Sequence, residues 1–264
     1  ADPHALFKIA SISKLYVAVA VTKLVNNKQL DLDKTLNDYL PELAGRIENA
    51  DEITLRMMVQ HRSGIPNFTD TPDYWLNPPQ SNKENLKLVL DKPADFESDK
   101  KYRYSNTNYL LIGEILDKTL GYSHHKYIKS KILEPLKLNN TYSLLSEVNL
   151  DDVMSGYYVG YEADLKNNDF KNPAGSMVAT AEDVGKFLRV LNDGSLLNES
   201  EQEIYSNIYK YEHTGLIPGY QSIAKYHKDI DTVVIQFNNT TNFDGYEWSL
   251  AEITYRRIVK ILKK

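Results

Sequence analysis

The chain has 264 residues, 42% of them hydrophobic and 25% charged, a globular composition long enough to bury a substantial core in one catalytic unit. Its formal net charge is −5 and Lys and Arg are spread along the sequence, so no basic stripe marks a phosphate-binding face and nucleic acid is not an expected partner. The absence of cysteine excludes thiolate catalysis, disulfide frameworks and cysteine-based zinc sites.

The longest apolar stretch, Leu15 to Val21, is far short of the roughly 20 residues of a membrane span, and nothing resembles a signal peptide, so a soluble chain is expected. Residues 11 to 25 carry Leu15, Val17, Ala18, Val19, Val21, Leu24 and Val25, and a helix apolar nearly all round is a buried one. A serine in its first turn would be held rigidly. From about Asp31 to Lys101 the sequence is polar and broken by Pro41, Pro66, Pro72, Pro78, Pro79 and Pro93, which predicts loops and short helices without strands.

Tyr109, Ile112, Leu116 and Leu120 recur at helical spacing before Gly121, which predicts a helix over 108–120 fed by a loop at 104–107. Thr180 followed by Asp183 reads as a capping box, opening a helix whose inner face is Val184, Phe187, Leu188 and Leu191 and which ends by Gly194. Tyr220 to His227 and Thr232 to Asn238 read as strands joined by a turn at 228–231, with an amphipathic closing helix over Leu250 to Lys264. The fold class is therefore α+β: a single domain, 1–264, mainly helical over about 30–170. The sheet-containing region is about 175–264 together with the first helix.

Ser11-Ile12-Ser13-Lys14 places a hydroxyl and an amine on one face of a helix, where the amine can relay the serine proton and the helix N-terminus favours developing negative charge. The same Ser-x-x-Lys spacing recurs at Ser98 to Lys101, Ser123 to Lys126 and Ser222 to Lys225, so spacing alone does not choose among them. Order does. Tyr104-Ser105-Asn106, at the start of a clear helix, supplies a phenol to shuttle a proton and an amide to hold a substrate carbonyl or the lysine. Its decoy, Tyr205-Ser206-Asn207, lies too near the third element to form a separate wall. His213-Thr214-Gly215 occurs once and leads toward the predicted hairpin, where an edge strand can receive an extended substrate.

With these motifs in this order the chain resembles the serine β-lactamase, penicillin-binding protein and class VIII esterase superfamily, in particular its class C-like branch, whose second motif is Tyr-x-Asn and third is Lys or His, then Thr, then Gly. Phe7-Lys8-Ile9-Ala10, Gln60-His61-Arg62-Ser63-Gly64-Ile65-Pro66, Glu134-Pro135-Leu136, Gly175-Ser176-Met177-Val178-Ala179-Thr180 and Pro218-Gly219-Tyr220 resemble its secondary signatures, and together they cover almost the whole chain. The resemblance implies a β-lactamase/transpeptidase-like fold, an antiparallel sheet flanked by helices with a cleft between it and a mainly helical region. It implies Ser11 as the acylated nucleophile, Lys14 as its partner and Tyr104 as proton relay to the leaving group, either of the latter two being the base. Asn106 would anchor a substrate amide, His213 and Thr214 would line the opposite wall with Gly215, and the backbone amides of Ser11 and Leu216 would form the oxyanion hole. Lys14, buried among donors, should titrate below its usual value.

Cofactor and metal are not implied; the partner is a small-molecule or peptide acyl donor, whether cell-wall peptide, ester or β-lactam. His213 in place of the lysine of many relatives tilts the expectation toward a D,D-peptidase or esterase, although a protonated imidazole can bind a carboxylate as well. The alternative is a penicillin-binding sensor or scaffold, acylated but turning over slowly or not at all. Family members act mostly outside the cytoplasmic membrane, which implies a periplasmic or extracellular location. Relatives carry two strands before the first motif, whereas this sequence begins ten residues ahead of Ser11, so those strands are expected to be reduced or missing. The short stretch from Thr180 to His213 implies trimmed cleft loops.

The remaining features read as background. His124-His125 reads as a solvated pair without a ligand partner, His61 as support for a loop, Glu134 as a structural cap, and Tyr74 and Trp75 as packing residues.

Overall fold

The computed structural model describes residues 2, 4–76, 78–243 and 245–264. Two extended residues, β1 (Phe7–Lys8), lead into a 3-10 turn at Ala10–Ile12 that carries Ser11 and runs directly into α1 (Ser13–Asn26). Every residue of α1 from Ser13 to Thr22 is buried, as its uninterrupted apolar surface requires. The proline-broken segment folds into α2 (Leu36–Tyr39), α3 (Leu55–Val59) and α4 (Asn82–Lys87). Each is opened by a hydroxyl, of Thr35, Thr54 or Ser81, that accepts the backbone N–H three residues on. Then come α5 (Asn106–Leu120), which starts two residues earlier than its apolar pattern and stops at Gly121 with φ of +71°, and α6 (His124–Ile128).

β2 (Thr141–Tyr142), β3 (Tyr157–Tyr158) and β4 (Val178–Ala179) are too short to leave an alternating pattern in the sequence, and they were not expected. β4 lies between β1 and β2, antiparallel to both. The following α7 (Ala181–Asn192) is capped by the Thr180 hydroxyl, but the capping box is only half formed. Thr180 N–H already donates to the Asn140 carbonyl. The Asp183 carboxylate therefore takes the Asn140 N–H at 2.8 Å and the Thr141 hydroxyl at 3.1 Å, which pins β2 to the helix. The helix α8 (Glu199–Ile208) is an addition to the sequence reading; its capping box between Asn198 and Glu201 was a usable signal.

The main sheet is antiparallel, in the order β5 (His213–Ile217), β6 (Tyr220–His227), β7 (Thr232–Asn238). A two-residue β8 (Thr240–Thr241) pairs in parallel with β3, and α9 (Tyr246–Leu262) closes the chain, four residues earlier than expected. Sheet alternation places Ala224 and Ile235 on the face covered by α7, and Ile223 and Val234 on the face covered by Ala251, Tyr255 and Val259 of α9. On the inner side Tyr16 of α1 stacks on Phe187 of α7 at 3.8 Å, locking the serine-bearing helix to the sheet layer. The architecture is the expected α+β arrangement, an antiparallel sheet flanked by helices with further helices beside it. Among the described residues the segment before Ser11 supplies only β1, which pairs with β4 and not with the main sheet.

Candidate active site

Ser11 sits in a turn that is fixed at both ends. Ala10, fully buried, takes a left-handed φ of +48°, a conformation that costs an L-residue free energy and persists only where the surroundings impose it. The constraint is visible: Ser13 donates its hydroxyl to the Ala10 carbonyl at 2.7 Å and accepts the Met177 N–H at 3.1 Å, while Ile9 N–H bonds the Met177 carbonyl.

One helical turn on, the fully buried Lys14 places Nζ 3.1 Å from Ser11 Oγ, 2.8 Å from Asn106 Oδ1 and 2.7 Å from the Ala174 carbonyl. Burial, helped by the charge of Lys210, holds its pKa well below the usual lysine value. In the neutral amine two N–H groups satisfy the two carbonyl-type oxygens, which can only accept, and the lone pair is left for the Ser11 hydroxyl. Tyr104 approaches from the other side, its hydroxyl 2.8 Å from Ser11 Oγ, with a pKa raised by burial.

Tyr104 is held by a segment that the sequence reading treated only as loop support. His61 lies with its ring centre 4.4 Å from that of Tyr104, and its Nδ1 accepts the Ser105 N–H at 3.2 Å. Asn67 Oδ1 accepts the Asn106 N–H at 2.9 Å, Thr69 Oγ1 accepts from the Asn106 amide at 3.2 Å, and the Pro66 carbonyl accepts from Thr107 at 2.7 Å. Asn67, Thr69 and Ala174 were missed in the sequence because each contributes one polar atom, Asn67 and Ala174 from loops and Thr69 from the single 3-10 turn Phe68–Asp70, with no periodicity to announce it. Asn106 thus uses both ends of its amide within the protein, one on Lys14 and one on Thr69.

The third motif forms the edge strand β5. Gly215 is required there by close approach: a Cβ would stand 2.4 Å from the Ile9 carbonyl oxygen and from Ser222 Oγ, and 3.1 Å from Ala10 Cβ. Ile217 and Tyr220 flank the two-residue turn Pro218–Gly219 and close the ladder as a hydrogen-bonded pair. Parity then puts Thr214 and Leu216 in the non-bonded pairs, their N–H groups aimed at the open edge. The N–H of Leu216 is thereby left available, as an oxyanion donor must be.

His213 departs from one expectation. Its Nδ1–H donates to the Thr214 carbonyl and its Nε2 accepts from the Tyr209 hydroxyl at 3.0 Å. Burial, helped by the charge of Lys210, keeps it neutral, well below the usual imidazole pKa. A protonated imidazole gripping a carboxylate is not what stands there.

The decoys separate cleanly. Ser98 donates to Glu52 on the surface, Ser123 caps α6, and Ser222 and Lys225 lie on a strand, where three positions put them on opposite faces. Tyr205 is buried on α8 with its hydroxyl on the Lys210 carbonyl at 2.8 Å. His124 is a correction: it is buried, not solvated, and its Nδ1 lies 2.7 Å from the Asp117 carboxylate. Among the described residues no group of three His, Cys, Asp or Glu could hold a metal ion. No helix of the described residues is long and apolar enough to cross a membrane. Glu134 ends the helical turn after α6, as a cap would. Tyr74 packs inward and bonds Asn85 at 2.8 Å, whereas Trp75 is half-buried and lines a cavity.

A model of the β-lactamase family matches residues 1–208. Protein flp of Staphylococcus aureus strain N315 is 23% identical over 218 residues, covering 79% of this chain and 44% of that protein; the chain spans less than half the length of the curated relatives it matches. Among solved structures, D-amino acid amidase from Ochrobactrum anthropi SV3 superposes with a TM-score of 0.85 at 23% identity, covering 99% of this chain and 85% of that one. The penicillin-binding protein from Bacillus halodurans gives 0.78 at 21% identity, covering 91% and 83%. These structures share its fold. With a family model matching nearly four fifths of its length, the chain belongs to the β-lactamase family.

Proposed function

We propose that the protein is a serine hydrolase working through an acyl-enzyme on an ester or amide carbonyl, as a D,D-peptidase or carboxypeptidase, an esterase or a β-lactamase-related hydrolase. The observation that carries this reading is Ser11 Oγ lying between a buried Lys14 Nζ at 3.1 Å and the Tyr104 hydroxyl at 2.8 Å. Neutral Lys14 accepts the hydroxyl proton as Ser11 Oγ forms its bond to the carbonyl carbon. The oxyanion is met by the N–H groups of Ser11 and Leu216. As the tetrahedral intermediate collapses, Tyr104 gives its proton to the leaving oxygen or nitrogen and is reprotonated through Ser11 Oγ's former proton on Lys14. Water then repeats the sequence on the acyl-enzyme. Asn106 positions Lys14, and Thr214 on the β5 edge binds the incoming substrate backbone.

The kind of acyl donor is suggested by the structural neighbours: D-amino acid amidase has been solved with L-phenylalanine amide and with L-phenylalanine. A small amino-acid amide, ester or peptide fits the same chemistry. A site of action outside the cytoplasmic membrane fits a peptide donor from the cell wall.

Intact-mass spectrometry after incubation with benzylpenicillin and with a short acyl ester tests the assignment. Turnover of the ester with a transient adduct absent from Ser11→Ala is the expected result. A permanent adduct without turnover would convert the reading to a penicillin-binding sensor. No adduct with either compound would remove Ser11 as the nucleophile.

A further inference from the structure

The closing helix α9 has two apolar sides and the sheet uses one. Ala251, Tyr255 and Val259 pack on Ile223 of β6 and Val234 of β7. On the far side Leu250 is 44% exposed, Ile261 67% and Leu262 51%, with Ile253 and Ile258 close behind. A helix lying on a sheet ordinarily turns a polar face to water, so large aliphatic side chains along the outer face need an account.

Charge marks the same stretch. Ile253 to Lys264 holds Arg256, Arg257, Lys260, Lys263 and Lys264 and no acid, in a chain whose net charge is −5. Helical spacing puts Ile253, Arg257 and Lys260 on one strip, alongside a second strip of Leu250, Ile258, Ile261 and Leu262. Lys263 is paired with Asp229 at 2.6 Å, whereas among the described residues Arg257, Lys260 and Lys264 make no ion pair. The acids of the helix, Glu247 and Glu252, lie in its first half, and Glu252 accepts the Trp248 Nε1–H at 3.1 Å. Cations in a last turn are favoured by the helix dipole, but that does not explain isoleucines beside them.

The two strips together select the partner. A second copy docking through the same face would bring like charges against each other. A nucleic acid would engage the cations and leave Ile261 and Leu262 in water. A bilayer with anionic headgroups meets both demands: phosphates face the cationic strip, and the aliphatic strip enters the boundary between headgroups and acyl chains. The helix rests on β6 and β7, whereas the Ser11 turn lies against β5, so such docking leaves the cleft open.

We propose that the C-terminal half of α9 is a membrane-surface element, by which the protein binds peripherally to a bilayer carrying anionic lipid. The inference is independent of the acyl-enzyme reading.

The test is co-sedimentation of the whole chain with sucrose-loaded vesicles, of phosphatidylcholine alone and of phosphatidylcholine with phosphatidylglycerol. Binding is expected to the anionic vesicles and to weaken at high salt. Arg257→Gln and Lys260→Gln should each lower partitioning by about fivefold. Ile261→Asp, at an exposed position, should lower it by about tenfold or more, with the unfolding midpoint and ester turnover unchanged.

No binding to anionic vesicles, equal binding to phosphatidylcholine alone, or partitioning unchanged in these variants would each overturn the proposal and leave the acyl-enzyme reading untouched. Self-association abolished by Ile261→Asp, without vesicle binding, would give the face to a second copy. A gel shift of duplex DNA without vesicle binding would give it to nucleic acid.

Discussion

Lys14 Nζ lies 2.8 Å from Oδ1 of Asn106, a residue 92 positions away in the sequence, and this neutral acceptor faces a lysine whose pKa burial holds well below the usual value. A neutral acceptor is compatible with an uncharged amine; a carboxylate in its place would not be. Asn106→Asp should therefore raise the Lys14 pKa toward its usual value by placing an opposite charge within hydrogen-bond distance. The acidic limb of the acylation profile should move to higher pH, and the rate at pH 7 should fall by about tenfold or more, because each unit of pKa is a factor of ten in the neutral fraction. Stopped-flow acylation against pH reads this directly. A profile identical to wild type would show that Lys14 is not the group that must be neutral.

Tyr104 contributes a ring and a hydroxyl, and the two are separable. The ring packs on His61 at 4.4 Å and lies under Lys14 Nζ at 4.8 Å, whereas only the hydroxyl reaches Ser11. Tyr104→Phe should keep the packing and the unfolding midpoint, and slow acyl transfer by about 10²- to 10⁴-fold, the usual worth of a positioned proton donor. The loss should be smaller for p-nitrophenyl esters than for amides, since a good leaving group needs no proton. Equal losses with both would point to a structural role.

The three motifs were legible because each is a set of chemically specific residues at fixed spacing on a predictable element. What separated Ser11 from the three decoys, however, is three-dimensional. Only Ser11 enters a buried helix beside Asn106 and Tyr104, while Ser222 and its lysine point to opposite faces of a strand and Ser98 lies on the surface. The supporting polar atoms of Asn67, Thr69 and Ala174 come from loops and one short 3-10 turn whose shape is decided by what they pack on, so no local pattern could announce them. The two-residue strands β1, β2 and β4 were invisible for the same reason, being set by the Asp183 and Ser13 bonds and not by alternation. His124 was misjudged because its partner, Asp117, reaches it across the Gly121 stop, a contact that depends on how the chain reverses.

His61 makes a pH prediction of defined sign. Burial, with the charge of Lys210, lowers its pKa to about 3, whereas the unfolded chain titrates near the usual imidazole value. Between about pH 6.5 and 3 the unfolded state binds a proton that the folded state refuses. Stability contributed by the neutral ring is therefore present above pH 6.5 and is lost as the pH falls, at up to about 1.4 kcal/mol per unit. His61→Asn, which suits the φ of +57° at this position and cannot titrate there, should flatten urea-derived stability between pH 6.5 and 4 by about that slope. Parallel curves for the two proteins would mean that His61 is charged in the fold.

Gly215 offers the sharpest test of how the third motif is positioned. Its missing side chain lets β5 lie against Ile9 and Ala10, and an added Cβ would meet the Ile9 carbonyl oxygen at 2.4 Å, a backbone atom that cannot swing aside. Gly215→Ala should push the strand from the Ser11 turn and carry the Leu216 N–H with it. A displacement near 1 Å at a reacting centre costs about 10²-fold in rate, and overpacking at this level costs about 1–3 kcal/mol in stability. Gly121→Ala is the matched control: it forces an alanine to a φ of +71° but meets nothing within 4 Å, so it should cost about 1–2 kcal/mol with acylation unchanged. Measured side by side, loss of acylation in Gly215→Ala beyond what its unfolding midpoint explains would place the oxyanion donor on β5. Acylation at the wild-type rate in that variant would mean that Leu216 does not serve the carbonyl, and another N–H would have to be sought.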